Sequence, residues 1–295
     1  MPNLSVIAGL ATALCWGTGD YLSRGQSERI GYYRTLVYSM LVTFIVLIAI
    51  TPVLSPDVRA PLIPLTVLIV AGILNFIAFT FLYRAFHKGV VSVVAPVAYT
   101  YPAITTVLSI LILGTLLQRT EILAIAGIII GVVLTSTRFS EIRRSIAGKG
   151  SAGLTAGFVP AAAASLFFGF VYVGVGYAAP LVSVIVPVTI LRIVGISMGF
   201  ALAPTLKQTA RPIRGVFSRG IITMGVLEAI GFLSLTYGIS VPGGSLPVVT
   251  AISGMGGAVA GGYGLAFLKE RLEPNQIIGV VLSLLGVFTL LYLGA

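Results

Sequence analysis

Residues 122–151 read ILAIAGIIIGVVLTSTRFSEIRRSIAGKGS. No charge interrupts the run from Ile122 to Thr137, while the stretch that follows carries Arg138, Glu141, Arg143, Arg144 and Lys149. A segment apolar on every side has no face to turn to water, so lipid or a packed interior must surround it. The whole chain decides between the two. Of its 295 residues 57% are hydrophobic and only 9% charged, with a mean hydropathy of +1.09. A soluble domain carries about a quarter charged residues. The solvent is therefore a bilayer.

Working outward, comparable runs occupy 4–22, 32–51, 62–83, 90–114, 122–137, 152–173, 181–203, 216–239, 244–267 and 276–293. A spanning helix needs roughly 20 apolar residues, so ten helices and short connections use almost the full length. Continuous runs of this length disfavour strands. The sequence thus predicts an all-α integral membrane protein, with the polar stretch 141–150 dividing a first five-helix unit (1–140) from a second (151–295). The start, Met1-Pro2-Asn3, lacks the basic region of a cleavable signal, so 4–22 reads as a retained helix.

The basic residues give the orientation. Connections after odd-numbered helices hold 15 of the 18, from Arg24 to Arg271; those after even-numbered helices hold only Arg59 and Arg119, and Arg192 lies within a helix. Cytoplasmic loops collect Lys and Arg, which puts the odd connections inside and both termini outside a plasma (inner) membrane. Five helices per unit makes equivalent connections face opposite ways, and the charges agree. The first connection holds Arg24, Arg29 and Arg34, and its counterpart 174–180 none; the second holds Arg59 alone, and its counterpart Lys207, Arg211, Arg214 and Arg219. That is the pattern of two inverted repeats.

The same charges account for the net +10 without nucleic acid. A lone Cys15 and a lone His87 leave no disulfide, metal site or clustered catalytic set. Neither an ATP-binding glycine loop nor a selectivity-filter or charge-ring pattern is present, so direct ATP drive and a channel are both disfavoured. No cofactor is expected.

Both halves end alike. The second reads Phe267-Leu268-Lys269-Glu270-Arg271-Leu272, then Gly279 and Gly286; the first reads Ile112-Leu113-Gly114-Thr115-Leu116-Leu117, then Ala124 and Gly131. Their openings pair Cys15-Trp16-Gly17 with Phe168-Gly169, each followed by an arginine near the next helix, Arg34 and Arg192. In these features the chain resembles the EamA family of the drug/metabolite transporter superfamily over its whole length. It departs at Thr115, where the family usually has Glu, and at Phe267-Leu268-Lys269, where a small residue is usual. The resemblance implies a secondary transporter, most often an exporter of amino acids or other metabolites. It also implies a central cavity lined by the first, third and fourth helices of each repeat. Exporters of organic cations or drugs, and lipid-linked flippases, would share this fold.

Polar groups at membrane depth are costly and point to function. Glu228, in the middle of the eighth helix, is either a substrate-amine or proton-coupling carboxylate or the partner of Arg192 in a structural pair. Arg192 either clamps a substrate carboxylate or, if Pro187 starts its helix, snorkels to the interface. Asp20 and Arg24, four residues apart, form a local pair or a gate. Pro96 and Pro102 bend the fourth helix around Tyr99 and Tyr101, which project on different sides. Ser253 lies in the matching glycine-rich ninth helix. Trp16, Asn75, Tyr83, Phe168 and Tyr237 are further candidates for lining. Trp16 and Asn75 lie deepest, whereas Tyr83, Tyr172 and Tyr237 stand near segment ends, where an interfacial aromatic belt competes. An aromatic lining would suit an apolar or cationic substrate.

Overall fold

The computed structural model describes residues 4–54, 60–88, 97–137, 139–140, 142–143, 151–268 and 273–293. Helices dominate it, and no strand occurs among the described residues. They are α1 (Leu4–Ile30), α2 (Tyr32–Leu54), α3 (Leu62–Lys88), α4 (Tyr101–Leu113), α5 (Arg119–Ser136) and α6 (Ser151–Ala178). A 3-10 turn (Ala179–Leu181) leads to α7 (Val186–Leu202), α8 (Arg219–Ser240), α9 (Leu246–Ser253), α10 (Gly256–Leu268) and α11 (Pro274–Leu293). Among the described residues six helices are long and apolar enough to cross a membrane: α2, α5, α8, and most of α3, α6 and α11. Shorter apolar helices are α4, α7 and 246–260. The chain is therefore a multi-pass membrane protein. α1 is not among the six, because Gly17, Thr18, Gly19 and Asp20 dilute its apolar run.

Several expected boundaries move. α1 continues eight residues past Leu22, because polar residues such as Ser23, Gln26 and Glu28 keep helical geometry once lipid is left behind. α6 runs to Ala178 rather than 173. α7 begins at Val186 rather than 181, with Pro187 in its first turn, where a missing N–H costs nothing. The ninth segment breaks between α9 and α10 at Gly254 and Met255. Tyr99 and Thr100 form a turn ahead of α4. Pro96, Arg138, Glu141, Arg144, Lys149 and the Lys269-Glu270-Arg271 motif lie outside the described residues, as do the side chains of Arg24, Tyr83 and His87.

The packing is reciprocal. α1 lies against α8 and the α9–α10 pair, and α6 lies against α3 and α4. α2 lies against α8 as α7 does against α3; α2 meets α7, α4 meets α9, and α5 meets α11. The α5–α11 crossing is tightest at glycine. A Cβ on Gly131 would stand 2.6 Å from the Gly279 carbonyl oxygen, and one on Gly279 would stand 2.6 Å from that of Gly131. A Cβ on Gly286 would stand 2.7 Å from the Ala124 carbonyl. Backbones this close exchange dispersion contacts that lipid cannot match. The start of α11 also supplies donors to carbonyls in the last turn of α5. Asn275 Nδ2 donates to Leu134 and Thr137 oxygens at 3.0 and 2.9 Å, and Gln276 Nε2 to that of Thr135 at 2.9 Å.

Candidate functional site

The site forms where α1 meets α8. Small residues bring the two backbones together, and hydroxyls then bond across them. Thr12 Oγ1 donates to the Gly231 carbonyl at 3.0 Å and Ser5 Oγ to that of Gly238 at 2.8 Å. Side chains pointing outward on α1, Leu4, Ile7 and Leu14, are exposed and follow helical spacing. The opposite stripe is Gly9, Ala13, Trp16 and Asp20. Its first two members are buried, Trp16 is half-buried and Asp20 is exposed. A residue on the inward face of a surrounded helix becomes exposed only where the neighbours draw apart. The stripe therefore runs from a packed crossing into an internal opening.

α8 tells the same story. Ile221, Phe232, Leu235 and Ile239 share one inward stripe and are buried, with Glu228 among them. Yet 26% of the Glu228 side chain is exposed. Its Oε1 accepts from Arg192 Nη2 at 3.0 Å. Arg192 is 1% exposed and its guanidinium lies 4.8 Å from the Phe232 ring centre. The snorkelling expected if Pro187 begins the helix does not occur: Pro187 does stand in the first turn, but α7 aims Arg192 inward at Glu228 rather than toward lipid headgroups.

Aromatic rings join the two helices to α4 and α6. Trp16 lies 5.0 Å from Phe232 and 6.0 Å from Tyr172. Tyr172 lies 5.0 Å from Tyr101, which is itself 6.1 Å from Phe168. Phe168 meets Phe79 edge-on at 5.1 Å. Tyr101 is buried and its hydroxyl shares a 3.1 Å hydrogen bond with Ser253 on α9. The Tyr99 hydroxyl donates to the Asp20 carboxylate, and Asp20 and Glu228 are near enough for their charges to interact. The broken segment faces this cluster: a Cβ on Gly257 would stand 2.8 Å from the Tyr99 ring, and one on Gly254 3.0 Å from Pro102.

The structure thus brings Trp16, Asp20, Tyr99, Tyr101, Phe168, Arg192, Glu228 and Ser253 together, with Pro102 at the bend. Asn75 is fully buried on α3, and neither of its amide atoms finds a hydrogen-bond partner among the described residues. Tyr237 does not join. It sits in the last turn of α8, 47% exposed, on the outward side. Sequence reasoning undervalued Tyr172, which is 5% exposed and central, and overlooked Phe232. Spacing held the signal for both: Tyr172 follows Phe168 by one helical turn, as Phe232 follows Glu228.

A family model described as the EamA-like transporter family matches residues 3–137. The chain belongs to that family. An uncharacterized transporter of Archaeoglobus fulgidus is 22% identical over 98% of both chains. An uncharacterized protein of Methanocaldococcus jannaschii is 30% identical over 137 residues, which are 45% of this chain and 97% of that one. A crystal structure at 16% identity superposes over 98% of both chains with a TM-score of 0.78, which speaks to the fold. As an EamA-like transporter, the chain needs a polar site enclosed by its helices rather than an assembled set of reacting groups, and the α1–α8 opening has that character.

Proposed function

We propose that the protein is a secondary transporter that exports a small metabolite, an amino acid or an organic amine, by alternating access between two inverted five-helix repeats. The observation that carries the reading is the α5–α11 crossing. Ala124 and Gly131 are the first-half counterparts of Gly279 and Gly286. Contacts pair Gly131 with Gly279 and Ala124 with Gly286, so replacing both members of either contact by their counterparts gives the other contact. Such exchange is the signature of a two-fold axis between like units. The ring pairs support it too: Trp16 on Phe232 at 5.0 Å is matched by Phe168 on Phe79 at 5.1 Å. A relative of about half the length, matched over 97% of itself, supports each half as a unit.

The exposures support a particular state. Trp16, Asp20 and Glu228 are open to different degrees, while Phe168, Tyr172 and Asn75, their counterparts across the axis, are 7%, 5% and 0% exposed. Asp20 lies toward the C-terminal end of α1, which the basic residues assign to the cytoplasm. One half-site is open inward and the other is closed, as rocking of two bundles requires. Solute counterflow in proteoliposomes tests the reading: radiolabelled amino acid or amine should accumulate transiently against unlabelled solute, and saturably. Flux rising linearly with concentration and showing no counterflow would sink it. Reporter fusions should find the first and sixth helices oppositely oriented, with residues 141–150 in the cytoplasm and both termini outside.

A further inference from the structure

We infer that the solute is a monovalent organic cation, an amine with an apolar body and no carboxylate. This rests on the transporter reading of the same site and narrows it. Three charged side chains meet at the α1–α8 opening. Asp20 is exposed there, and its described contacts leave it one donor, the Tyr99 hydroxyl. Glu228 keeps about a quarter of its side chain open, and its bond to Arg192 engages Oε1. Arg192 is the only cationic side chain described at this site, and it is sealed: 1% exposed, covered by the Phe232 ring and bonded to Glu228.

The reachable surface therefore carries one negative charge with no reachable cation beside it among the described residues, next to the half-buried ring of Trp16. An ammonium satisfies both, through the carboxylate and through the ring quadrupole. A carboxylate on the same solute would enter facing Asp20 with no cation able to reach it, and a desolvated charge without a partner is strongly disfavoured. Amino acids would need Arg192 released from Glu228. The site selects against them.

Trp16 is the only tryptophan of the chain, so intrinsic fluorescence reports from the site. Purified protein in lipid nanodiscs is titrated with phenethylamine, phenylalanine and phenylacetate, which share a ring and differ in charge. Phenethylamine should shift Trp16 emission saturably and bind at least tenfold tighter than phenylalanine, with phenylacetate giving no saturable change. Asp20→Asn should remove at least tenfold of the phenethylamine affinity in protein that stays folded, whereas Tyr99→Phe, which loses the same hydrogen bond and keeps the carboxylate, should retain most of it. Phenylalanine binding as tightly as phenethylamine, or binding of none of the three, overturns the proposal. Counterflow with the same solutes separates the two readings. Movement of phenylalanine but not phenethylamine defeats the cation assignment and leaves the transporter. Saturable phenethylamine binding without movement of any solute defeats the transporter and leaves the cation preference.

Discussion

The Tyr99 hydroxyl donates to the carboxylate of Asp20, tying the turn before α4 to the inward face of α1 across 79 positions of sequence. This bond spans two elements that must separate if the bundle opens further, so it reads as a latch. Tyr99→Phe removes one charge-assisted hydrogen bond at an exposed carboxylate, worth about 1 kcal/mol after solvent screening. A double-mutant cycle with Asp20→Asn, read from chemical or thermal unfolding in one detergent, should return a coupling energy of roughly 0.5 kcal/mol or more. Additive effects would mean the two side chains ignore each other.

Arg192 and Glu228 form a pair of unequal exposure, and that sets a second expectation. Glu228→Ala leaves a guanidinium at 1% exposure without its carboxylate, which should cost about 3 kcal/mol. Arg192→Met combined with Glu228→Leu should recover most of that loss, because an apolar pair of similar volume carries no desolvation penalty. Transport should stay lost in the double variant. Equal stability of Glu228→Ala and wild type, by unfolding midpoint, would show that the guanidinium is held well enough without Glu228.

Gly131→Ala should be severe for a change of one methyl. The added carbon would stand 2.6 Å from the Gly279 oxygen, so α5 and α11 must part along their crossing and lose dispersion contacts. Gly262→Ala offers the control, since a Cβ there meets nothing within 4 Å. That variant should match or slightly exceed wild-type stability, because alanine favours helix over glycine by up to ~1 kcal/mol. Comparable yields and midpoints for both variants would remove the close crossing from the account.

Part of this architecture is legible in the sequence because a bilayer imposes a coarse rule: long apolar runs where helices cross it, and glycine where helices touch. The sequence marks Gly131, Gly279 and Gly286 as a recurring pattern, and the structure gives the pattern a cause in the α5–α11 crossing. What composition cannot see is where a helix stops once it leaves lipid. Judged against an end at 173, Tyr172 looks interfacial; with α6 running to Ala178, it stands one and a half turns inside and reaches Trp16 and Tyr101. Tyr237 fails for the complementary reason. It does lie in the final turn of α8, where its ring faces outward. For Arg192 the sequence leaves two readings, because helical periodicity gives a face and not a neighbour. Only the packing of α7 beside α8 puts Glu228 there.

Asn75 yields the sharpest separation of stability from function. The ring pairs match Trp16 with Phe168 and Phe232 with Phe79, and the same offset carries Glu228 onto Asn75. Asn75 is 0% exposed, with Oδ1 and Nδ2 both lacking partners among the described residues. A buried amide left unsatisfied costs about 1–3 kcal/mol, and nothing in this state repays it. The opposite state does so if the closed half-site opens and Asn75 takes the place that Glu228 holds now, facing solute and water. Asn75→Leu, close in volume and apolar, should therefore raise the unfolding midpoint of the purified protein. In proteoliposomes the same variant should lose at least tenfold in counterflow rate, because the outward-facing half-site has lost its polar contact. Stabilisation with transport intact would reduce Asn75 to a packing fault, and destabilisation would mean that its amide is satisfied by water held between α3 and α6.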